Sequence, residues 1–147
     1  MIRSTLDERL CFNLYNLQRQ INRFYNKSIL NEMNITYPQF LVLNILQDKK
    51  QVNIKTLAEM LQLDTGTISP LIRRMEKLDL VRRQRDAEDQ RLVYIEATER
   101  GKGLEEKLEK AFDSFSEAID IDPEDEKALL EHIQHIDAML TKNAFRN

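Results

Sequence analysis

The stretch Leu63–Thr98, LDTGTISPLIRRMEKLDLVRRQRDAEDQRLVYIEAT, decides the fold of this chain. Its first half predicts an amphipathic helix, because its apolar residues fall within one sector at about 100° per residue. They are Ile68, Leu71, Ile72, Met75 and Leu78. Asp64 is a plausible N-cap, since its carboxylate can accept the free amide hydrogens of the first turn. Pro70 lies inside the helix, where it removes one backbone bond, so a local irregularity is expected there.

The opposite face of this helix has the composition of a DNA-reading surface. Small residues near its N-terminal end permit close approach to base edges, and basic residues further along can meet phosphates. The candidate contacts are Thr65, Gly66, Thr67, Ser69, Pro70, Arg73, Arg74 and Lys77. We therefore expect residues 65–74 to enter a major groove.

The second half of the stretch predicts a β-hairpin. Val81–Arg85 and Leu92–Ile95 have the composition of strands, and Asp86–Gln90 between them is polar and turn-forming. At the tip, Asp89 is placed to steer the guanidinium of Arg91 toward the minor groove, where narrow A·T tracts attract arginine. Arg85 is a further candidate contact with DNA. Taken by itself, the hairpin could equally be an ordinary solvated one.

The residues upstream favour the DNA-binding interpretation. Asn53 can cap a short helix over Ile54–Leu61, and a break at Gln62–Leu63 leads into the helix from Asp64. Helix, short turn and helix followed by a hairpin is the order of a winged helix-turn-helix. The expected fold class is mainly α with a small β-hairpin wing.

Composition sets the outer bounds. The chain has 147 residues, one cysteine and no apolar run long enough to span a membrane, so we expect one soluble cytoplasmic protein without an internal disulfide. The formal net charge of −3 is unevenly distributed: residues 1–63 carry +3, residues 64–103 carry +1 and residues 104–147 carry −7. The acidic surplus thus lies away from the expected DNA face.

Both ends of the chain predict long amphipathic helices. Thr5 and Glu8 have the spacing of a capping box, Tyr37-Pro38 begins a second helix, and Thr98 can cap a third. Asp122 followed by Pro123 marks the start of a last one. Residues 1–36 are interpreted as an N-terminal dimerisation helix, 37–100 as the winged domain and 101–147 as C-terminal dimerisation helices. In a monomer the apolar faces of these terminal helices would be exposed to solvent, so we infer a homodimer.

Three motifs carry a resemblance to a known family: LCFNLYN with YPQFLVLNIL, then LDTGTISPLIRRME, then DAEDQR. Over residues 6–100 the chain resembles the MarR-type winged-helix regulators, and among them the peroxide-sensing OhrR and MgrA group. The resemblance implies a dimer on a pseudo-palindromic operator and a reactive N-terminal cysteine. By position, Cys11 matches the sensing thiol, Tyr25 and Tyr37 match tyrosines that hydrogen-bond it, and Asp89 with Arg91 matches the acid-and-arginine pair of the wing. A peroxide and a small thiol are then the reactants at Cys11.

From local sequence alone, a lone cysteine beside Leu10 and Phe12 is most often an inert buried residue. Helix geometry adds a constraint, because Tyr25 lies fourteen residues beyond Cys11, or about 21 Å along one helix. A site that joins Cys11 to Tyr25 must therefore be assembled between two subunits.

Three classes of function stay open at this point: a cysteine-sensing regulator, a regulator of the same fold that binds a small aromatic or lipophilic ligand, and a one-cysteine thiol peroxidase. The helix that begins after Asp64 is the predicted recognition helix. This helix and the wing argue against the enzyme, which has no use for them. His132 and His135 share a helix face but have no clustered partners, so we expect no metal ion, cofactor or catalytic residues.

Overall fold

The computed structural model describes residues 5–144, the side chain of Ile29 excepted. The described residues divide between Phe112 and Asp113 into two compact units. In chain order the α-helices are α1 Leu10–Tyr25, α2 Asn31–Met33, α3 Tyr37–Lys49, α4 Ile54–Leu61, α5 Thr65–Lys77, α6 Glu99–Lys102, α7 Glu105–Ile119 and α8 Pro123–Asn143, and the strands are β1 Gln51–Asn53, β2 Val81–Arg85 and β3 Val93–Ala97. A π-helical segment, Asn26–Leu30, joins α1 to α2. The expected class, mainly helical with a small wing, is confirmed.

Side-chain caps define the start of α4 and of α5. The Asn53 Oδ1 accepts a hydrogen bond from the Thr56 N–H at 2.7 Å, and the Asp64 Oδ1 accepts one from the Thr67 N–H at 2.6 Å. Each bond satisfies an amide that the first helical turn leaves without a backbone partner. Between the two helices, Gln62 adopts a left-handed conformation with φ of 54°, which reverses the chain direction within a short turn.

The three strands form one antiparallel sheet in the order β1-β3-β2. The hairpin β2–β3 is the predicted wing, although its second strand covers Val93–Ala97 and not Leu92–Ile95. Strand β1 pairs with β3 through the register Val52↔Ile95 and was not predicted. Because β1 directly precedes α4, this pairing joins the base of the wing to the start of the helix-turn-helix.

The core of the first unit lies where α3, α4 and α5 pack against the base of the sheet. Its fully buried side chains include Phe40, Leu43, Leu57, Ile68, Ile72, Met75, Ile95 and Leu108. Gly101 of α6 packs directly against the chain between α5 and β2, since a Cβ built on it would lie 2.2 Å from the Leu80 carbonyl oxygen. The recognition helix and the wing therefore share one core.

Two predicted helix boundaries are corrected. The capping box of Thr5 and Glu8 forms, but it starts a 3₁₀ turn over Leu6–Glu8, and α1 begins only at Leu10. Thr98 caps the short α6 through the Gly101 N–H, and the long helix starts afresh at α7. Pro70 lies inside α5 as expected, and the helix does not end there. The residue four positions before Pro70 is the exposed Gly66, whose carbonyl can be hydrated in place of the lost bond.

The second unit contains α8, which begins as predicted. The Asp122 Oδ1 accepts a hydrogen bond from the Glu124 N–H at 2.9 Å, and Pro123 occupies the first turn. In the isolated chain this helix leaves large apolar side chains exposed: Leu129, Leu130, Ile133, Met139 and Leu140. None of the helices within residues 5–144 is long and apolar enough to cross a membrane.

Candidate DNA-binding surface and thiol site

The α5 helix presents two faces of different character. Ile68, Leu71, Ile72 and Met75 are buried and attach the helix to α3 and α4. Among the predicted DNA contacts on α5, six residues are exposed: Thr65, Gly66, Thr67, Arg73, Arg74 and Lys77. Ser69 and Pro70 are half-buried. Small polar residues thus lie at the N-terminal end of the exposed face and basic residues at its C-terminal end.

Asp64 caps the N-terminal end of α5. The side chain and the backbone N–H of Thr67 donate to this carboxylate and lower the pKa of Asp64. Gly66, the second residue of the helix, has open space around its Cα, since an added Cβ would meet only the Asp64 Oδ1 at 3.5 Å. A flat, backbone-rich surface of this kind allows base edges to approach closely.

The wing tip is a structured turn. The Asp86 Oδ1 accepts hydrogen bonds from the N–H groups of Glu88 and Asp89, at 2.8 and 2.9 Å. Arg85 closes the mouth of the hairpin by donating from Nη1 to the Gln90 carbonyl at 2.9 Å. Arg85 is exposed, but this bond directs its guanidinium within the wing.

Asp89 and Arg91 form the predicted acid-and-arginine pair. The Arg91 Nε lies 3.1 Å from the Asp89 Oδ1 and its Nη2 lies 3.3 Å from the Oδ2. The hydrogen bonds from the Arg91 side chain, and then from its backbone N–H, lower the pKa of Asp89. Although oriented in this way, the Arg91 side chain is 91% exposed and projects from the protein.

The thiol of Cys11 and the phenol of Tyr25 lie at opposite ends of α1, and Tyr37 begins α3. Cys11 is exposed, one residue after the helix begins, and Tyr25 is buried at its last residue. Because α1 is one uninterrupted α-helix, the separation of about 21 Å expected from its rise holds within one chain. The structure therefore brings together Tyr25 and Tyr37, but does not join them to Cys11 of the same subunit.

Tyr25 and Tyr37 belong to an aromatic cluster with Phe40 and Phe112. The two tyrosine rings are 5.0 Å apart, Tyr25 is 5.3 Å from Phe40, and Phe40 is 4.9 Å from Phe112. Burial, together with the neighbouring Tyr37, raises the pKa of Tyr25 to about 12. Burial likewise raises the pKa of Tyr37. Both phenols consequently stay protonated at neutral pH and can act as hydrogen-bond donors.

Two features of this region were not predicted. Ion pairs join Arg82 to Glu96 and Arg83 to Glu76, and their partners are too distant in sequence for a local pattern to reveal them. In addition, α3, β3, α6 and the start of α7 enclose a cavity of about 470 Å³ that Gln47 lines. The Gln47 Nε2 is buried without a hydrogen-bond partner among the described residues.

The histidine pair forms no metal site in the part of the chain that is described. His132 and His135 are exposed on α8, and residues 5–144 contain no group of three His, Cys, Asp or Glu side chains arranged to hold a metal ion.

A capped helix with a small-then-basic exposed face, followed by a wing with a projecting arginine, defines a winged helix-turn-helix transcription regulator that binds DNA. Comparison with known proteins specifies the family. The model of the transcriptional regulators SarA/Rot matches residues 23–108, and the chain belongs to this family. The resemblance to MarR-type regulators of the MgrA and OhrR group is confirmed as well.

Two relatives and one solved protein illustrate the relationship. The chain is 46% identical to the HTH-type transcriptional regulator MgrA of Staphylococcus aureus over 124 residues, which cover 84% of each protein. It is 43% identical to the organic hydroperoxide resistance transcriptional regulator of Bacillus subtilis over 102 residues, or 69% of each. The structure of reduced AbfR bound to DNA superposes with a TM-score of 0.78 at 29% identity, over 92% of this chain and 94% of that one.

Proposed function

We propose that this chain is a homodimeric regulator that binds a pseudo-palindromic operator and leaves it when Cys11 is oxidised. The observation that carries the proposal is the position of Cys11 and Tyr25 at opposite ends of one continuous helix. A thiol that is exposed in one chain, and a pair of protonated phenols that lies far from it, form a site only when two chains combine. Such a site couples thiol chemistry to the arrangement of the subunits.

Dimerisation is supported by apolar side chains that the isolated chain leaves exposed on its terminal helices. On α1 these include Leu10 and Leu17, which are 60% and 48% exposed. On α8 they include Leu129, Ile133 and Leu140. Burial of such side chains against a second copy is favourable by about 25 cal/mol for each Å² removed from water. A dimer also places two α5 helices on one duplex, with half-sites about one helical turn apart.

The proposed chemistry begins with the Cys11 thiolate, which Tyr25 and Tyr37 of the partner subunit stabilise as hydrogen-bond donors. The thiolate attacks one oxygen of a peroxide, the O–O bond breaks, and an alkoxide or hydroxide departs to take up a proton. The product is a sulfenic acid at Cys11. A small thiol then attacks its sulfur, water leaves, and a mixed disulfide forms because the chain holds no second cysteine.

DNA is released when the mixed disulfide at Cys11 adds bulk to the packed interface between the subunits. A close-packed interface cannot absorb a thiol adduct without a shift of the subunits, and this shift changes the separation of the two α5 helices. AbfR, at 29–30% identity, has been crystallised with DNA both reduced and overoxidized, and separately with a disulfide formed. We therefore assign release to the thiol adduct and not to added oxygen atoms.

The test compares the parent protein with Cys11→Ser on duplex from the gene's own promoter. Both proteins should bind equally when reduced, and only the parent should release DNA after treatment with cumene hydroperoxide and a small thiol. Mass spectrometry of Cys11 should show the mixed disulfide in step with release. Equal release of both proteins would remove Cys11 from the mechanism. Repeated turnover of peroxide by a thiol reductant would instead support a peroxidase.

The cavity beside Gln47 favours a second candidate, a regulator controlled by a small ligand. Its volume of about 470 Å³ is within the range of small-molecule sites. Its lining combines the apolar Leu43, Leu46 and Ala97 with charged residues, Lys50, Glu96, Lys102 and Glu105. A ligand with a hydrogen-bond acceptor would satisfy the buried Gln47 Nε2. Under this function, Gln47→Leu would change the response to the ligand, and Cys11→Ser would leave regulation intact.

A further inference from the structure

The arginines of β2 are all engaged within the protein. The Arg82 Nε lies 2.6 Å from the Glu96 Oε1, and Arg85 donates to the Gln90 carbonyl. Both of these partners belong to the wing itself. The partner of Arg83 differs, because its Nε lies 3.0 Å from the Oε1 of Glu76, a residue of the last turn of α5. The Arg83–Glu76 pair therefore joins the wing to the recognition helix.

Helix stability does not explain a carboxylate at position 76. The C-terminal end of a helix carries a partial negative charge, so an acidic residue in its last turn is unfavourable. A carboxylate beside the basic Arg73, Arg74 and Lys77 also repels phosphates. Glu76 is nevertheless directed at Arg83, and the side chains of Glu76 and Arg83 are only 31% and 34% exposed. Partial shielding makes this pair less sensitive to salt than a fully exposed one.

The position of the pair determines what it can control. The chain leaves α5 at Leu78, turns at Asp79, where φ is 57°, and enters β2 at Val81. This short connection leaves the wing attached to the helix mainly at its base. Arg83 is the middle residue of β2 and lies opposite Ile95. A contact from there back to α5 fixes the direction of the hairpin, and thus of Arg91 at its far end.

We propose that Glu76 and Arg83 are positioning residues, which hold the wing at the angle that lets Arg91 reach the groove next to the one occupied by α5. The inference rests on the proposed binding of DNA by α5 and the wing. Arg91 is 91% exposed, so its orientation relative to α5 depends on the wing that carries it. A side chain that is already oriented contributes more affinity than a mobile one, because the mobile one loses conformational entropy when it binds.

A double-mutant cycle tests the proposal, with the parent, Glu76→Gln, Arg91→Ala and the double variant on operator duplex at fixed salt. Arg91→Ala should lower affinity about tenfold in the parent and only about twofold in the Glu76→Gln background. The matched control is Glu96→Gln, which also removes one negative charge, but from β3 of the wing. It breaks the ion pair between Glu96 and Arg82 and leaves the pair between Glu76 and Arg83 intact. In that background Arg91→Ala should again cost about tenfold.

The outcomes separate this proposal from its premises. A purely structural role for Glu76 would leave the Arg91→Ala factor at its parental value, and this result would overturn the inference. If Arg91→Ala costs nothing in the parent, the inference fails together with the groove assignment of Arg91, while binding by α5 and the Cys11 switch stay intact. The exchange Glu76→Arg with Arg83→Glu should restore the tenfold factor. If the exchanged protein does not fold, Arg83→Lys, which keeps the charge, should retain more of the factor than Arg83→Gln.

Discussion

The carboxylate of Asp89 holds the guanidinium of Arg91 by two contacts, at 3.1 and 3.3 Å, while the Arg91 side chain stays 91% exposed. An exposed ion pair of this kind contributes little to folding. Its effect is to reduce the number of directions that the arginine adopts before it meets DNA. The wing thus carries an arginine that is oriented and accessible at once.

Arg91→Ala should weaken operator binding by about 1–3 kcal/mol, because an oriented contact in a narrow groove is lost. Fluorescence anisotropy with labelled duplex measures the change. Lys107→Ala, which removes one positive charge from α7, is the control and should bind like the parent. A folded, dimeric Arg91→Ala protein with parental affinity would refute the assignment.

Two glycine substitutions should separate folding from DNA binding. Gly101→Ala places a Cβ 2.2 Å from the Leu80 carbonyl oxygen, so the backbone must shift, and the free energy of unfolding should fall by about 1–3 kcal/mol or more. In Gly66→Ala the new Cβ makes only an ordinary van der Waals contact, so the substitution should stabilise the helix by about 0.5–1 kcal/mol. Gly66→Ala should nevertheless bind operator more weakly, since the methyl group occupies the space of a base edge. Urea unfolding and anisotropy on both variants decide the matter, and unchanged DNA affinity of Gly66→Ala would contradict the close approach.

Removal of residues 123–147 should leave a monomer or an aggregate. The deletion takes away α8 and its exposed Leu129, Ile133 and Leu140. It should also expose the apolar surface of the second copy that α8 is proposed to cover. Operator binding should collapse too, because two weak half-site contacts act together only when they are linked. Sedimentation velocity shows the result, and a soluble dimer of the truncated protein would speak against the proposed interface.

Tyr37→Phe should slow the reaction of Cys11 with peroxide without abolishing DNA binding. The substitution removes one phenol that donates to the thiolate and keeps the ring that contacts Tyr25 and Phe40. The rate of loss of free thiol under excess peroxide reports the effect. Tyr15→Phe, at a 60% exposed position of α1, is the matched control. Equal rates in parent and Tyr37→Phe would exclude Tyr37 from the thiol site.

Tyr25 predicts a loss of stability at alkaline pH. Its pKa is about 12 in the folded protein and about 10 in an unfolded chain, so the unfolded state loses this proton first. Stability is therefore fully present below about pH 10 and falls between about pH 10 and 12, by roughly 1–2 kcal/mol. Urea unfolding at pH 9 and at pH 11 measures the fall, and Tyr25→Phe should reduce it. A fall of the same size in Tyr25→Phe would assign the effect to other groups.

The parts of the fold that were predictable from sequence depend on local interactions. The caps at Asn53 and Asp64 bond residues three positions away, and the apolar face of α5 repeats within a single helix. Strand β1 was missed because three residues are too few to show alternation, and its partner Ile95 lies far along the chain.

The same division applies to the candidate site. Asp89 and Arg91 are two residues apart, and their pairing was predicted and is confirmed. The pairing of Glu76 with Arg83 depends on how the hairpin folds back toward α5, and no local pattern specifies that angle. The contact between Tyr25 and Tyr37 likewise requires the turn after α2 to return the chain. The assignment of Cys11 to a thiol site stays a prediction, because it involves a second subunit.

The location of Cys11 and Tyr25 at the two ends of α1 also has a genetic consequence. In a dimer with two such sites, each site takes its thiol from one gene product and its phenols from the other. Under the proposed mechanism, Cys11→Ser and Tyr37→Phe subunits should each be defective as homodimers. When both are expressed in one cell, their heterodimers contain one site of fully parental composition and one doubly defective site. The two alleles should therefore complement each other, so that a response absent or slow in either strain returns in the strain that carries both.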